Sequence, residues 1–244
     1  MNTSKVKNYW KEEQKLCQEI YENGFARYLQ GLKQSKEVFQ SDDRAIRCID
    51  EGTPGGIHIA GSGILLSLEE AGRIISEIEE VDGIYSHAYC GAAALEAENT
   101  GYDGDSDDLG SRAAKEIAAE VNLPYLGEIT AEQMQRPADL HTARAIYYDG
   151  IGGFDWSQVE GLPTGFIISR KYLYSDYARE EMDISIDIAF GDLGFGNRFD
   201  SDNPLLIVLL AENKEELEIM QQEAKDVTKK YNSDRIQIET YVQA

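Results

Sequence analysis

The sequence predicts an α/β fold, a mostly parallel sheet flanked by helices, with a helical arm at its N-terminus. Three observations predict it. Short apolar runs alternate with amphipathic stretches through residues 41–244, the order that builds parallel sheets. Leu205–Ala211 is a continuous apolar run with Pro204 before it, which suits a strand buried on both faces. Cys48-Ile49-Asp50 and His87-Ala88-Tyr89-Cys90 each follow an apolar run, where open α/β sheets present their carboxyl edges and place their sites.

The arm occupies residues 1–40. From Lys5 to about Phe39 the residues Trp10, Leu16, Ile20, Phe25, Tyr28, Leu29 and Leu32 recur at helical steps. Gly24 and Gly31 predict breaks in it. The apolar stripe must pack, either on the chain's own sheet or on a second subunit.

Residues 41–244 read as a single domain with an insertion or lid around 125–165. Arg44–Asp50 is a strand, and Glu51–Gly56 a turn by its three glycines and one proline. Ile57–Ala60 is a second short strand, and Gly61-Ser62-Gly63 permits a close backbone approach. Ser67 with Glu70 forms a capping box for a helix that runs to Ile78. Gly83–Ser86 is the next strand, and a helix starts at Gly91. Asp103, Asp105 and Asp107 alternate as in a calcium loop, but the twelfth position is Ala114, which excludes an EF-hand. A polar loop over Asn99–Asp108 then caps a helix over Leu109–Val121.

Within the 125–165 segment only Thr142–Tyr148 reads as a strand, with His141 just before it. Strands at Gly165–Ser169 and Leu205–Ala211, helices at Ser175–Phe190 and Glu212–Tyr231, and an edge strand at Arg235–Val242 complete the chain. No internal repeat is visible.

A formal net charge of -22 opposes nucleic acids and anionic lipid surfaces as partners. Three cysteines at irregular spacing do not make a disulfide framework, and Cys17 in a helical pattern reads as a small buried hydrophobe. No apolar run is long enough for a membrane span, and the polar N-terminus lacks a signal-peptide core. A cytoplasmic location is the expectation.

Two thiols and an imidazole at Cys48, His87 and Cys90 make a zinc-ligand set, and catalytic zinc has three protein ligands. His87 and Cys90 are close enough in sequence to chelate one ion together. Cys48 joins them if its strand neighbours the one that ends at His87. The alternative is two buried core cysteines and a hydrogen-bonded core histidine.

In their order, Cys48-Ile49-Asp50, Ile59-Ala60-Gly61-Ser62-Gly63 and Ser86-His87-Ala88-Tyr89-Cys90-Gly91 resemble the β-class carbonic anhydrases, whose motifs are C-x-D-S-R, R-N-A-G-N and G-H-x-x-C-G. The resemblance covers about Ala45 to Leu95. It implies a zinc-dependent lyase that reversibly hydrates carbon dioxide to bicarbonate, with Zn2+ on Cys48, His87 and Cys90, Asp50 as catalytic residue, and a homodimer or higher homo-oligomer. The family's first motif ends in an arginine that holds the aspartate off the metal, and Gly52 stands in its place. Either another arginine, with Arg47, Arg73 and Arg144 as candidates, then restrains Asp50, or Asp50 closes the zinc as a fourth ligand beside Cys48, His87 and Cys90. Two other readings stay open. One is a catalytically silent zinc-binding scaffold. The other is a zinc hydrolase acting on another small electrophile such as carbonyl sulfide, or one in which the lid brings His141 to the metal as general base.

Overall fold

The computed structural model describes residues 3–243. Its first sheet contains β1 (Ile46–Arg47), β2 (Ile57–His58), β3 (Ile84–His87) and β4 (Tyr125–Ile129). The second contains β5 (Ala145–Asp149), β6 (Gly165–Ile168), β7 (Leu205–Ala211) and β8 (Ile236–Val242). All pairings are parallel. The strand orders are β2-β1-β3-β4 and β6-β5-β7-β8, so both sheets follow one topology although the sequence carries no visible repeat. Parallel pairing requires crossovers, and helices supply most of them.

Seven helices pack around the sheets: α1 (Thr3–Asn23), α2 (Phe25–Gly31), α3 (Leu68–Ser76), α4 (Gly91–Thr100), α5 (Ser106–Glu120), α6 (Ser175–Phe190) and α7 (Lys214–Thr228). Gly24, at φ 78°, breaks α1 from α2, because only glycine adopts that conformation without strain. The apolar stripe of this arm lies on the chain's own second sheet, where Ile20, Phe25, Tyr28 and Leu29 meet Tyr147, Leu206, Val208 and Leu210. The capping box at the start of α3 is present, Ser67 accepting from the Glu70 N–H while Glu70 accepts from the Ser67 N–H. Helix α5 begins at Ser106, earlier than the periodicity implies, because the Asp105 side chain caps it by accepting from the Asp107 N–H. No described helix is long and apolar enough to cross a membrane.

Every residue of β7 is buried, as its composition requires, whereas β8 is half-buried at the sheet's edge. The 125–165 segment contains β4 and β5, and the loop between them carries Arg136 and His141. The two sheets meet at β6. The Ile167 N–H donates to the Ile49 carbonyl at 3.2 Å, the Ser169 N–H to the His58 carbonyl at 3.2 Å, and the His58 N–H to Ser169 Oγ at 2.9 Å. These bonds bring the carboxyl end of β1 against the second sheet, so both sheets shape what lies beyond Cys48.

Candidate metal centre

Strands β1 and β3 are neighbours, and Cys48 follows the one while His87 ends the other. Cys90 comes three residues later at the start of α4. The ligand atoms of Cys48, His87 and Cys90 lie within 4.8 Å of one another, and all three residues are buried. This group could hold a metal ion.

Tyr89, at φ 56°, turns the chain between strand and helix, a conformation that costs a non-glycine residue energy and persists where its surroundings impose it. Asp107 imposes it here, accepting from the Tyr89 N–H at 2.9 Å and the Cys90 N–H at 3.3 Å. The Gly61 N–H donates to Cys48 Sγ at 3.1 Å. The Gly61-Ser62-Gly63 turn therefore makes its close approach to a sulfur.

The donor set fits a metal on two further observations. His87 Nδ1 lies 2.9 Å from the Ala88 carbonyl and must carry the proton that bonds it. Although burial alone would lower the pKa of the ring, Cys48 and Asp50 beside it raise it to about 9, and Nε2 is buried without a partner among the described residues. Such an orphan is costly, whereas a ring fixed by an Nδ1 bond with Nε2 free is the form that ligates a metal. Burial pushes the Cys48 thiol well up, and Cys90 beside it adds to the rise. A buried thiol of this kind becomes a thiolate when a cation compensates it.

Asp50 sits beside this group with its carboxylate fixed. Arg136 Nε donates to Oδ1 and Arg136 Nη2 to Oδ2, each at 2.7 Å, and the Gly52 N–H donates to Oδ1 at 2.8 Å. Burial alone would raise the pKa of Asp50, but Arg136 holds its carboxyl well below the usual carboxylate range. A carboxylate accepts about four hydrogen bonds. Three acceptor positions are taken, and one on Oδ2 stays free.

None of the three arginines expected at Asp50 is there. Arg47 pairs with Asp43, Arg73 lies over the Tyr174 ring, and Arg144 lies over Trp10. The partner is Arg136, from the loop after β4. The bidentate guanidinium facing the Asp50 carboxylate is the arrangement of the restrained alternative. Gly52 explains the exchange of arginines. A Cβ there would stand 2.5 Å from Met134 Cε and 2.9 Å from Arg136 Cγ, so the absent side chain leaves room for the remote one.

Glu51, which composition placed in a turn, is almost wholly buried. It accepts from the Thr142 N–H at 2.6 Å and lies 3.1 Å from His141 Nδ1. Asp50, Glu51 and His141 form a second group of possible ligands, but Arg136 lies against both acids, 3.8 Å from Glu51, and already supplies the positive charge. Reading Tyr125–Ile129 as a strand would have put the next loop at the sheet's carboxyl edge, and with it Arg136.

A chamber of about 10 Å³ lies between Cys48, Asp50 and His141, walled by Phe166, Ile184 and Ile188. That is close to the room one water needs. Outside it run two adjoining grooves of about 400 Å³ each, one past Tyr89 and Arg136 and the other past Leu95 and Ile188, both bordered by Leu193. Compared with protein-family models, curated proteins and solved structures, the chain matches none.

Proposed function

We propose that this chain is a zinc-dependent lyase of the β-carbonic anhydrase type, hydrating carbon dioxide reversibly to bicarbonate. One observation carries the reading: a buried Cys48, His87, Cys90 group with an orphaned imidazole nitrogen, set beside an aspartate locked by an arginine. A structural zinc site has no need of the second part.

Cys48, His87 and Cys90 would hold the ion. Zinc bound there would supply a water acidic enough to ionise at about pH 7, a general magnitude for zinc enzymes for which carbonic anhydrase is the standard example. Asp50 stays ionised at neutral pH and keeps one acceptor position free, so it takes a hydrogen bond from the attacking oxygen and directs that oxygen's lone pair at carbon. Arg136 keeps Asp50 in that pose. The apolar walls at Phe166, Ile184 and Ile188 suit a small uncharged electrophile and keep competing water out.

The Asp50–Arg136 pair also weighs against a silent scaffold, because a buried ion pair is retained at a desolvation cost. Stopped-flow carbon dioxide hydration, with zinc determined on the same sample, tests the reading. Zinc near one per chain, with hydration lowered about 10–100-fold in an Asp50→Asn variant that keeps its zinc, is the expected result, the range being that for losing a group that orients a metal's ligands. Full zinc without hydration would overturn it.

A further inference from the structure

Exposed apolar side chains gather at one place on this molecule. Tyr89 is 54% exposed, Leu95 36% and Leu193 62%, and all three border the two adjoining grooves of about 400 Å³ each that lie outside the inner chamber. Either groove is far larger than carbon dioxide, so the proposed function leaves both without a use. Leu193 stands between them on a loop that the fold holds in place. Its carbonyl accepts from the His141 N–H at 2.7 Å, and the Gly194 N–H donates to the Gly191 carbonyl at 3.2 Å. A Cβ at Gly194 would stand 2.3 Å from the Ile188 carbonyl oxygen, so only glycine lets the loop lie this close to α6. An apolar patch held in water in this way marks an interaction site.

The rim of the patch has one sign of charge. The chain carries no lysine or arginine between Arg73 and Arg112, between Arg136 and Arg144, or between Arg179 and Arg198, and these segments supply the walls of both grooves. Arg136, the one basic residue at their border, is buried and occupied by Asp50. Asp139 borders one groove, Asp187 and Asp192 the other, and all three are exposed. Asp139 and Asp192 have no ion-pair partner among the described residues. Such a rim repels anionic ligands and anionic lipid surfaces. It also opposes a second copy of the chain, because a twofold contact sets the same patch on both subunits and would bring like rims together at a net charge of -22 on each chain. A segment with apolar anchors flanked by lysine or arginine complements both the floor and the rim.

We propose that the two grooves are a docking site for a basic amphipathic helix of a partner protein, with apolar side chains seated on either side of Leu193 and lysines or arginines over Asp139 and Asp192. Helix-in-groove recognition places its anchors three and four residues apart, the spacing that lets one helix face fill two neighbouring hollows. Gly91 and His141 border the grooves and the chamber alike, so the docked helix stands over the chamber's mouth.

The test titrates the full chain with three synthetic peptides, followed by fluorescence anisotropy. One carries leucine and lysine at helical period, one is its scrambled isomer, and one has glutamate in place of lysine. The patterned lysine peptide is expected to bind about tenfold more tightly than the scrambled one, and the glutamate peptide to show no binding. Leu193→Ser changes an exposed position and is expected to weaken the patterned lysine peptide about tenfold, as the loss of an apolar anchor does. The double variant Asp139→Lys, Asp192→Lys is expected to weaken the lysine peptide and to admit the glutamate peptide. Equal binding of the patterned and scrambled peptides would reduce the contact to charge attraction and overturn the docking site. So would binding that neither variant moves, or no binding at all. Sedimentation that shows the wild type associating with itself, and Leu193→Ser failing to, would make a second copy the occupant and overturn the partner. None of these readouts needs a metal or turnover, so their failure is distinct from that of the hydration reading.

Discussion

Arg136 grips Asp50 with a two-pronged ion pair, Nε on Oδ1 and Nη2 on Oδ2 at 2.7 Å each, across a separation of 86 residues. Both side chains are almost fully buried. Removing one member of such a pair strands a charge in the interior at a cost of about 3–5 kcal/mol. Arg136→Ala is therefore expected to lower the unfolding free energy by that amount in denaturant titrations and, under the proposed function, to lower hydration because Asp50 can turn to the metal. Arg136→Lys keeps the charge but cannot make the fork, so it should recover stability better than activity. Equal recovery of both would remove the orienting role.

The metal group carries its own pH dependence. The Cys48 thiol is pushed up by burial, so under the proposed function the ion must displace protons as it binds. Calorimetric titration of metal-free protein in buffers of different ionisation enthalpy should show net proton release as the ion binds, and affinity should weaken as pH falls. Cys48→Ser and Cys90→Ser should each leave less than one zinc per chain after dialysis. A variant that retains full zinc would remove that residue from the ligand set.

Cys48, His87 and Cys90 were legible in the sequence because each lies where an apolar run stops, and parallel neighbours β1 and β3 bring two such stops together. The capping box of α3 and the buried run of β7 were legible for a like reason, since both are local patterns. Arg136 was not. It follows an edge strand whose Gly127, at φ 111°, and outward Leu126 and Glu128 blur the apolar alternation, and its partner lies far away in the chain. The division into two sheets was also hidden. Strands β1 and β2 have two residues each, and no local signal marks where β6 takes up with β5 instead.

Trp10 and Arg144 form another contact between distant segments. The guanidinium carbon lies 3.7 Å from the Trp10 ring centroid, and Arg144 is fully buried with Nε and Nη1 unpartnered. The ring faces of Trp10 and Phe199 stand in for hydrogen bonds. Trp10→Ala removes both packing and the cation–π contact, an expected loss of about 3 kcal/mol. Arg144→Met, of similar volume, removes the unpaired charge instead, and buried charges replaced in this way are often neutral or stabilising. Denaturant midpoints falling for the first variant and holding or rising for the second would fit. A large loss in the second would mean that the guanidinium contributes more than its packing.

Glu181 sets a stability slope of opposite sign to the usual carboxylate. Its Oε1 accepts from the Ala60 N–H at 2.8 Å while Oε2 is buried without a partner among the described residues. Burial raises its pKa from 4.5 to about 8. Between those values the folded state holds a proton that the unfolded state has released, so unfolding free energy falls as pH rises, by up to about 1.4 kcal/mol per pH unit. His58 works the other way, burial lowering its pKa from 6.5 to about 4. There the unfolded state binds the extra proton, and stability rises with pH across that interval. The two slopes oppose each other from pH 4.5 to 6.5, and from there to about pH 8 the slope of Glu181 continues without that of His58. Glu181→Gln keeps an acceptor for the Ala60 N–H and carries no charge, so its denaturant midpoint should exceed that of the wild type increasingly from pH 6.5 to 8. Parallel pH profiles for the two proteins would show that Glu181 is ionised in the fold at neutral pH.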